Sequence, residues 1–330
     1  MGGDRPRRAA AVIGFCLAAG AGTRLLPLTR LTPKPLLAPA GRPLVDLAIE
    51  GLQAAGATRV VVNAHHGADL LAAQLAGRPG VEVLVEPTLL GTGGGLVNAA
   101  HRGRLGGGDD PVLVTAADHV VTPADLAALA RFLDRSRVPM AAGLVPGPTS
   151  FPLRLDGTRL ARDPAGGWDS AGAYVVRAGL LCELEPGPAS LAGRVLGPLL
   201  DRGELAGLPF RGPVADAGTL ERLLRVSAGL LGGRWPYALP PGQLRRGAGD
   251  GPVLVVEGAE ADPAAVLAGP VVLDAGSRVG PGAAVTRSVV GPGAVVGPGA
   301  RVVGSVLGPG AHVHPGATAT AALIPAPEVR

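Results

Sequence analysis

The sequence predicts an α/β domain, built on a mainly parallel sheet with flanking helices, followed by a parallel β-helix. Over residues 11–231, short β-branched runs alternate with Ala/Leu-rich stretches at helical spacing, which is typical of a parallel sheet flanked by helices. Over residues 253–330, Gly/Pro turns recur with Val between them, which is typical of a β-helix. A basic tail at 1–10 precedes the first region, and a Gly/Pro-dense segment at 232–252 is predicted to be a linker.

Strands and helices of the first region are predicted in alternation. The strands lie at Val12–Leu17, Arg59–Val62, Val81–Val85 and Val112–Thr115. The helices lie at Pro43–Ala55, Ala68–Leu75, Gly95–Ala100, Pro123–Leu133 and Thr219–Leu231. Thr122 can cap the helix that begins at Pro123, because it precedes a proline in the first turn. Ligands bind at the carboxyl ends of parallel strands, so the loops that follow these strands are candidates for a site.

The last region carries a hexapeptide repeat. Its turns begin at 274, 280, 291, 297, 308 and 314, so spacings of 6 and 11 alternate and the period is 17. Extending the period back to 257 predicts about four coils with three faces each. The regular Val spacing disfavours a low-complexity tail, because each coil buries its aliphatic side chains only by stacking on its neighbours.

The composition of the 330-residue chain narrows its class. Apolar residues make up 47%, which excludes a disordered chain, and two cysteines, Cys16 and Cys182, fit a reducing compartment. The net charge of +4 comes from scattered arginines, so nucleic-acid binding is not favoured. No stretch of about 18 apolar residues is present to span a membrane. We expect a cytoplasmic protein with no nucleic-acid or membrane partner.

The N-terminus allows two interpretations. Arg5, Arg7 and Arg8 precede an uncharged stretch at 9–22, which resembles the first two regions of a signal peptide. The alternative is a basic tail followed by a buried strand in which Cys16 is inert. We favour the tail, because the supposed cleavage zone runs directly into a motif that carries chemistry.

That motif follows the first strand, where residues 17–36 read LAAGAGTRLLPLTRLTPKPL and residues 39–44 read PAGRPL. Gly20 and Gly22 let the backbone approach a ligand and form a nest of amides that binds anions. Arg24 offers a planar donor for phosphate oxygens. Lys34 is the only lysine among 30 basic residues, and the prolines on either side hold it as a compact cation. The loop lacks the Walker spacing and the dinucleotide-binding pattern.

The segment resembles the signature of the sugar-1-phosphate nucleotidyltransferases, or nucleotide-sugar pyrophosphorylases, which runs L-A-x-G-x-G-T-R-L-x-P-L-T, then P-K-P-L and G-x-P-L. Further matches follow in the family's order, at 60–66, 86–95, 112–118, 168–175 and 214–219. The resemblance implies a Rossmann-like mixed, mainly parallel sheet and a C-terminal left-handed parallel β-helix. The LGTGGG loop and the His65-His66 turn look closest to mannose-1-phosphate guanylyltransferases and N-acetylmuramate-1-phosphate uridylyltransferases.

The resemblance also implies a reaction in which a nucleoside triphosphate, GTP or UTP, and a sugar 1-phosphate give an NDP-sugar and pyrophosphate. By this resemblance the catalytic residues are Arg24, Lys34 and Asp118. The ligands of Mg²⁺ are Asp118 and Asp216. Sugar-phosphate binding falls to Arg162 and Gly172. The β-helix is expected to mediate homo-oligomer contacts. Nucleotide binding falls to loop residues after the strands, namely Leu17, Ala18, Ala19, Gly20, Gly22, Thr23, Glu86, Gly91 and Thr92.

The sugar side departs from the family's pattern. The usual Glu-Lys-Pro segment is Arg162-Asp163-Pro164 here, so Arg162 or Arg154 has to replace the lysine that contacts the sugar phosphate. The tryptophan that often precedes D-x-G-T is absent. These changes leave the acceptor sugar open.

Several alternatives remain open at this stage. Asp118 and Asp216 could cap a turn and a helix, Glu86 could be a solvated strand end, and the His65-His66 pair is expected to be a turn feature. A catalytically weak homologue that binds a nucleotide-sugar and regulates a partner is a second hypothesis. An acyltransferase is a third, because such enzymes also use β-helix repeats and a histidine, here His312 or His314.

Overall fold

The computed structural model describes residues 11–147 and 152–327. The predicted basic tail, with Arg5, Arg7 and Arg8, lies outside the described residues, as do the first two residues of the segment 150–154 on the sugar side.

The α/β region is built on a nine-stranded sheet in the order β3-β2-β1-β4-β9-β6-β10-β8-β7. Only β8 and β9 run against the other strands, so the sheet is mixed and mainly parallel, as predicted. The short strands β5 and β11 pair separately. The strand bounds are β1 Val12–Leu17, β2 Ala57–Ala64, β3 Val81–Val85, β4 Pro111–Ala116, β5 His119–Val120, β6 Met140–Pro146, β7 Leu153–Asp156, β8 Arg159–Arg162, β9 Trp168–Arg177, β10 Leu205–Pro209 and β11 Ala215–Asp216.

Of the α-helices that the structure describes, the first six complete two apolar cores, one on each face of the sheet, and the last, Leu220–Leu231, packs in a third core. Thr122 caps α4 as predicted, because its Oγ1 accepts from the amide of Asp125 at 3.2 Å. Helix α3 begins at Gly91, earlier than the predicted Gly95, so the glycine run is helical. The helix bounds are α1 Leu44–Ala54, α2 Ala68–Leu75, α3 Gly91–His101, α4 Pro123–Arg135, α5 Ala178–Glu183, α6 Gly197–Asp201 and α7 Leu220–Leu231.

The C-terminal region is a parallel β-helix with three sheets, one for each face. The repeat is 17 residues between Val272 and Val289 and again between Val289 and Val306. The first step is 18, because Val253 pairs with Val271, so the period extended back to 257 is wrong by one residue. The strand bounds are β12 Gly242–Arg246, β13 Pro252–Val256, β14 Glu260–Ala261, β15 Val266–Ala268, β16 Val271–Leu273, β17 Arg278–Val279, β18 Ala284–Thr286, β19 Val289–Val290, β20 Val295–Val296, β21 Arg301–Val303, β22 Val306–Leu307, β23 His312–Val313, β24 Thr318–Thr320 and β25 Leu323–Ile324.

The segment predicted as a linker packs against both regions. Its strand β12 pairs antiparallel with β13 at the edge of the β-helix. Upstream, the indole of Trp235 donates to the Pro213 carbonyl at 2.8 Å, and the Tyr237 hydroxyl donates to the Val121 carbonyl at 2.7 Å. Both aromatic side chains are buried, which sequence analysis did not foresee.

One core is shared between the two regions. Leu25, Leu28 and Leu37, which belong to the loop after β1, are buried against the outward-facing valines of the β-helix, namely Val272, Val289 and Val306. The back of this loop therefore rests on the β-helix, where the junction also forms a cavity of about 450 Å³. Among the helices that the structure describes, none has the length and apolar character needed to cross a membrane.

Candidate active site

A cavity of about 350 Å³ opens where β1 and β4 end. These strands are parallel neighbours, so their carboxyl ends meet at the edge of the sheet where ligands bind. The structure brings most of the predicted site residues into its wall, namely Leu17, Ala18, Ala19, Gly20, Gly22, Thr23, Arg24, Lys34, Gly91, Thr92 and Asp118. Four predicted residues are not part of the wall, namely Glu86, Arg162, Gly172 and Asp216.

The two glycines of the loop after β1 serve different purposes. Gly22 has a left-handed backbone with φ of 65°, and a Cβ there would lie 3.0 Å from Thr29 Cγ2 and 3.1 Å from Lys34 Cβ. The left-handed backbone therefore favours glycine at 22, and the packing leaves little room for a side chain there. Gly20 faces open space, because no atom lies within 4 Å of the point that a Cβ would occupy there. The backbone at Gly20 is thus accessible to a ligand.

Lys34 and Asp118 meet at the centre of the cavity wall. The Lys34 ammonium pairs with Asp118 Oδ2, and His119 Nδ1 donates to Asp118 Oδ1 at 2.9 Å. Burial raises the pKa of Asp118, but the hydrogen bond and charge of His119 and the ammonium of Lys34 outweigh burial and hold that pKa well below its usual range. The carboxylate is therefore charged throughout the neutral range, as a metal ligand must be.

Asp216 lies beside Asp118 through strand pairing. Strands β5 and β11 are antiparallel, with Asp216 opposite His119, and the Ala217 amide donates to the Asp118 carbonyl at 2.8 Å. Asp216 accepts from Arg222 Nη1 at 2.7 Å and from the Gly218 amide at 2.9 Å. At this corner of the cavity Asp118 lines the wall directly, and Asp216 lies behind the wall residue Gly218, where a Cβ would be 2.7 Å from Asp216 Oδ1.

The donor chemistry of this corner fits a hard divalent ion. Two carboxylates are oxygen ligands of the kind that Mg²⁺ prefers, and Mg²⁺ usually takes its other ligands from phosphates and water. Within 11–147 and 152–327, no cluster of three or more His, Cys, Asp or Glu side chains is found. A pair of carboxylates fits a Mg²⁺ ion that takes its remaining ligands from phosphate and water.

Asn63 is a residue that sequence analysis missed. It lies at the carboxyl end of β2 and lines the cavity, where its Oδ1 accepts from the Ala18 amide at 2.8 Å. Its Nδ2 donates to Glu86 Oε1 at 2.7 Å. The sequence signal for Asn63 was its position, because it is a polar residue directly after the apolar run at 60–62. Ligands bind at the carboxyl ends of parallel strands.

Glu86 lies behind the cavity wall. Its side chain is buried, with 1% exposed, so the alternative of a solvated strand end is wrong. Its second oxygen accepts from the Leu90 amide at 3.3 Å. Glu86 and Asn63 together tie the loop after β1 to the loop before α3, and a Cβ on Gly95 would strike both of them, at 2.5 and 2.6 Å.

The glycine run of α3 is explained by packing as well as by the cavity. The amides of Gly93 and Gly94 both donate to the Ala189 carbonyl at 3.0 Å. A Cβ on Gly94 would lie 2.4 Å from the Gly187 carbonyl. The Thr92 hydroxyl accepts from the Leu191 amide at 2.8 Å. The first turn of α3, where Gly91 lines the cavity, is therefore held by the chain that follows α5.

The predicted sugar-side residues lie apart from each other. Gly172 has φ of 69°, and a Cβ there would lie 2.3 Å from His119 Cδ2, so it abuts the residue next to Asp118. Arg162 is the last residue of β8, between β10 and β7, with Nε 3.6 Å from Asp201 Oδ1. Arg154 Nε lies 3.2 Å from Asp163 Oδ2. Neither arginine lines the cavity.

Comparisons with known proteins agree on one family. The model of a family described as nucleotidyl transferase matches residues 13–150. The chain is 31% identical to mannose-1-phosphate guanylyltransferase of Mycobacterium tuberculosis over 83% of its own length and 78% of the relative. It is 32% identical to N-acetylmuramate alpha-1-phosphate uridylyltransferase of Neisseria meningitidis over 66% of its length and 97% of the relative.

A solved structure shares the fold. This structure, named as a putative glucose-1-phosphate thymidylyltransferase from Bacillus anthracis in complex with a sucrose, superposes with a TM-score of 0.58. The superposition covers 66% of this chain and 94% of the other, at 20% sequence identity. At that identity the likeness speaks for the architecture of the α/β region and not for the substrate.

Proposed function

Because the chain belongs to the sugar-1-phosphate nucleotidyltransferases and is an NDP-sugar pyrophosphorylase, we propose that it joins GTP to mannose 1-phosphate, releasing pyrophosphate, with Mg²⁺ as its metal. The observation that carries the reaction is the meeting of Arg24, Lys34 and Asp118 in one cavity at the ends of β1 and β4. The alignment with the guanylyltransferase spans 291 residues, more than the α/β region contains, so that likeness extends beyond it. This extent supports mannose 1-phosphate and GTP.

The chemistry is an in-line displacement at the α-phosphorus. An oxygen of the sugar phosphate forms a bond to that phosphorus, and the bond from it to the bridging oxygen of pyrophosphate breaks. The attacking oxygen is already anionic, so the site has to supply alignment and charge neutralisation in place of a strong base. Arg24 and Lys34 are the cations that would neutralise the departing pyrophosphate.

Asp118 and Asp216 would hold the Mg²⁺ ion. When bound, Mg²⁺ neutralises phosphate charge and orients the reacting groups. The chain's own part is to hold the two carboxylates in place, through His119 at Asp118 and Arg222 at Asp216. The nest around Gly20 and Gly22 would bind the triphosphate, and the first turn of α3 would lie along the nucleoside.

The second candidate is uridylyl transfer to N-acetylmuramate 1-phosphate. The relative named for that reaction is 32% identical to the chain, which is close to the value for the guanylyltransferase.

Arg162 lies outside the cavity in this structure, so its role as the sugar-phosphate anchor stays a prediction.

The test is pyrophosphate release measured over a matrix of nucleoside triphosphates and sugar 1-phosphates. We expect the highest kcat/KM with GTP and mannose 1-phosphate, loss of turnover with a chelator, and recovery with Mg²⁺. The highest value with UTP and N-acetylmuramate 1-phosphate would select the second candidate. No release under any pairing would favour the regulatory homologue, and acetyl transfer in its place would favour the acyltransferase.

A further inference from the structure

The turn at 65–67, which joins β2 to α2, contacts the loop after β1 at two points. His66 Nε2 lies 2.7 Å from the Thr29 carbonyl oxygen. A carbonyl only accepts, so the imidazole donates from Nε2, which the neutral ring can do. His66 is partly buried and does not line the cavity. Its contact is therefore with the loop and not with a ligand.

Thr29 transmits this contact to the glycine nest. Thr29 is fully buried, and its hydroxyl donates to the Gly22 carbonyl at 3.0 Å. Its methyl group would be 3.0 Å from a Cβ at Gly22, and Lys34 Cβ would be 3.1 Å from the same point. Two hydrogen bonds in series thus connect His66 to the residue against which the base of Lys34 packs.

The second contact is steric. A Cβ on Gly67 would lie 2.1 Å from Pro33 Cγ, so glycine at 67 lets the turn touch the residue that precedes Lys34. Gly67 also has a left-handed backbone, with φ of 61°. The turn therefore contacts the loop at Thr29 and at Pro33. Both residues lie between Gly22 and Lys34, which line the cavity.

The neighbouring histidine serves the other wall of the cavity. His65 Nδ1 lies 2.9 Å from the Glu86 carbonyl oxygen, at the start of the segment that leads into α3. Two consecutive histidines thus bind two different loops that line the same cavity. The pair lies at a turn, as expected, and the two hydrogen bonds to different loops are a further feature of it.

We propose that His66 is a positioning residue for nucleotidyl transfer, which holds Gly22 and Lys34 in place through Thr29. The proposal rests on the proposed function for its kinetic readout only. The imidazole needs no charge to donate from Nε2, so the role is a fixed hydrogen bond and not proton transfer.

The first test is kinetic. His66→Ala leaves the buried Thr29 carbonyl without its donor, and we expect kcat/KM for the nucleoside triphosphate to fall roughly 10- to 50-fold. The KM for the sugar phosphate should stay within about two-fold, because the contact lies on the nucleotide side. His66→Gln should recover most of the loss, because a glutamine amide can donate near the position of Nε2.

The matched control is His101→Ala. His101 Nε2 makes the same kind of bond, 2.8 Å from the Leu184 carbonyl, at the far end of α3. Loss of this hydrogen bond should leave kcat/KM for the nucleoside triphosphate within about two-fold of the parental value. An equal loss in the His66 and His101 variants, or a His66→Gln variant as impaired as His66→Ala, would overturn the positioning role.

The second test does not depend on turnover. Arg30 is exposed in the same loop and is followed by an exposed Leu31, so trypsin cleavage after Arg30 reports how firmly the loop is held. We expect faster cleavage there in His66→Ala, and parental rates in His66→Gln and His101→Ala. Unchanged cleavage and unchanged kinetics in His66→Ala would refute the proposal. If the parent turns over no substrate but His66→Ala is still cleaved faster, the result would support the role of His66 in holding the loop and reject the proposed function.

Discussion

In the proposed function, the nucleotide side and the sugar side of the site are built in different ways. The nucleotide side comes mainly from one stretch of chain, in which Gly20, Gly22, Arg24 and Lys34 all reach the cavity wall, and the first turn of α3 adds to it. The sugar side draws on β8 and β9, where Gly172 touches the site only through His119 and Arg162 pairs with Asp201. The cationic charge that phosphates need is therefore concentrated on the nucleotide side. Substitutions there should cost far more than substitutions on the sugar side.

The largest effect is expected from Lys34→Ala. Loss of a preorganised cation at a developing charge costs about 10²- to 10³-fold in kcat. The fold should survive, because alanine keeps the Lys34 Cβ that packs beside Gly22, and circular dichroism can confirm that. Arg30→Ala, which removes an exposed cation from the same loop, is the control and should be near parental. Equal turnover in Lys34→Ala and the parent would break the comparison.

Arg24→Ala comes next. No side-chain hydrogen bond of Arg24 is found within the part of the chain that the structure describes, and its guanidinium would lie 2.7 Å from a Cβ on Gly218 at the cavity wall. We expect kcat/KM for the nucleoside triphosphate to fall about 10- to 100-fold, because Arg24 offers charge-assisted bonds to phosphate. Steady-state kinetics with each substrate varied in turn would show it. A larger effect on the KM of the sugar phosphate than on that of the nucleoside triphosphate would assign Arg24 to the sugar side.

Gly172→Ala tests whether the sugar side reaches the metal corner through His119. The added Cβ would lie 2.3 Å from the His119 ring at a φ of 69°, so we expect about 1–2 kcal/mol of lost stability and roughly a 10-fold lower kcat. Gly167→Ala, with no atom within 4 Å of its Cβ position, is the matched control. Thermal unfolding and turnover measure the two effects. Parental behaviour of Gly172→Ala would mean that His119 is free to move.

Arg162→Ala should have the smallest effect. Its ion pair with Asp201 is exposed, and such pairs contribute about 0–1 kcal/mol. We expect kcat/KM for the sugar phosphate to stay within about three-fold of the parental value. A loss beyond about 30-fold, confined to the KM of the sugar phosphate, would restore Arg162 as its anchor and reverse the comparison.

The nucleotide side was predictable from sequence because its parts are neighbours along the chain. A tight glycine turn after a buried strand places Arg24 near the strand end, while the position of Lys34 also depends on the turn at 65–67. Thr122 at the start of α4 was predictable for the same reason, since a cap depends on the next three residues. The 17-residue period of the β-helix was predictable because it too is a local pattern. The prediction is wrong only at the first coil, where one extra residue precedes Val271.

Other features depended on partners far along the chain. Glu86 was predicted to bind nucleotide, but Asn63 and the Leu90 amide occupy its two oxygens in a buried position. Trp235 and Tyr237 looked like part of a linker, and their partners, at Pro213 and Val121, lie in other elements. No local pattern indicates which carbonyl such a side chain will reach.

The sequence by itself determined the alternation of elements, the repeat of the β-helix and the loop that brings Arg24 to a strand end, because each follows from residues close together in the chain. Only the tertiary structure decided the sugar side. The insertion of β9 between β4 and β6, together with the pairing of β5 with β11, places Gly172 and Asp216 beside His119, and Arg162 lies on β8 between β10 and β7. Strand order depends on the burial of both sheet faces at once, and that is a property of the whole packed chain.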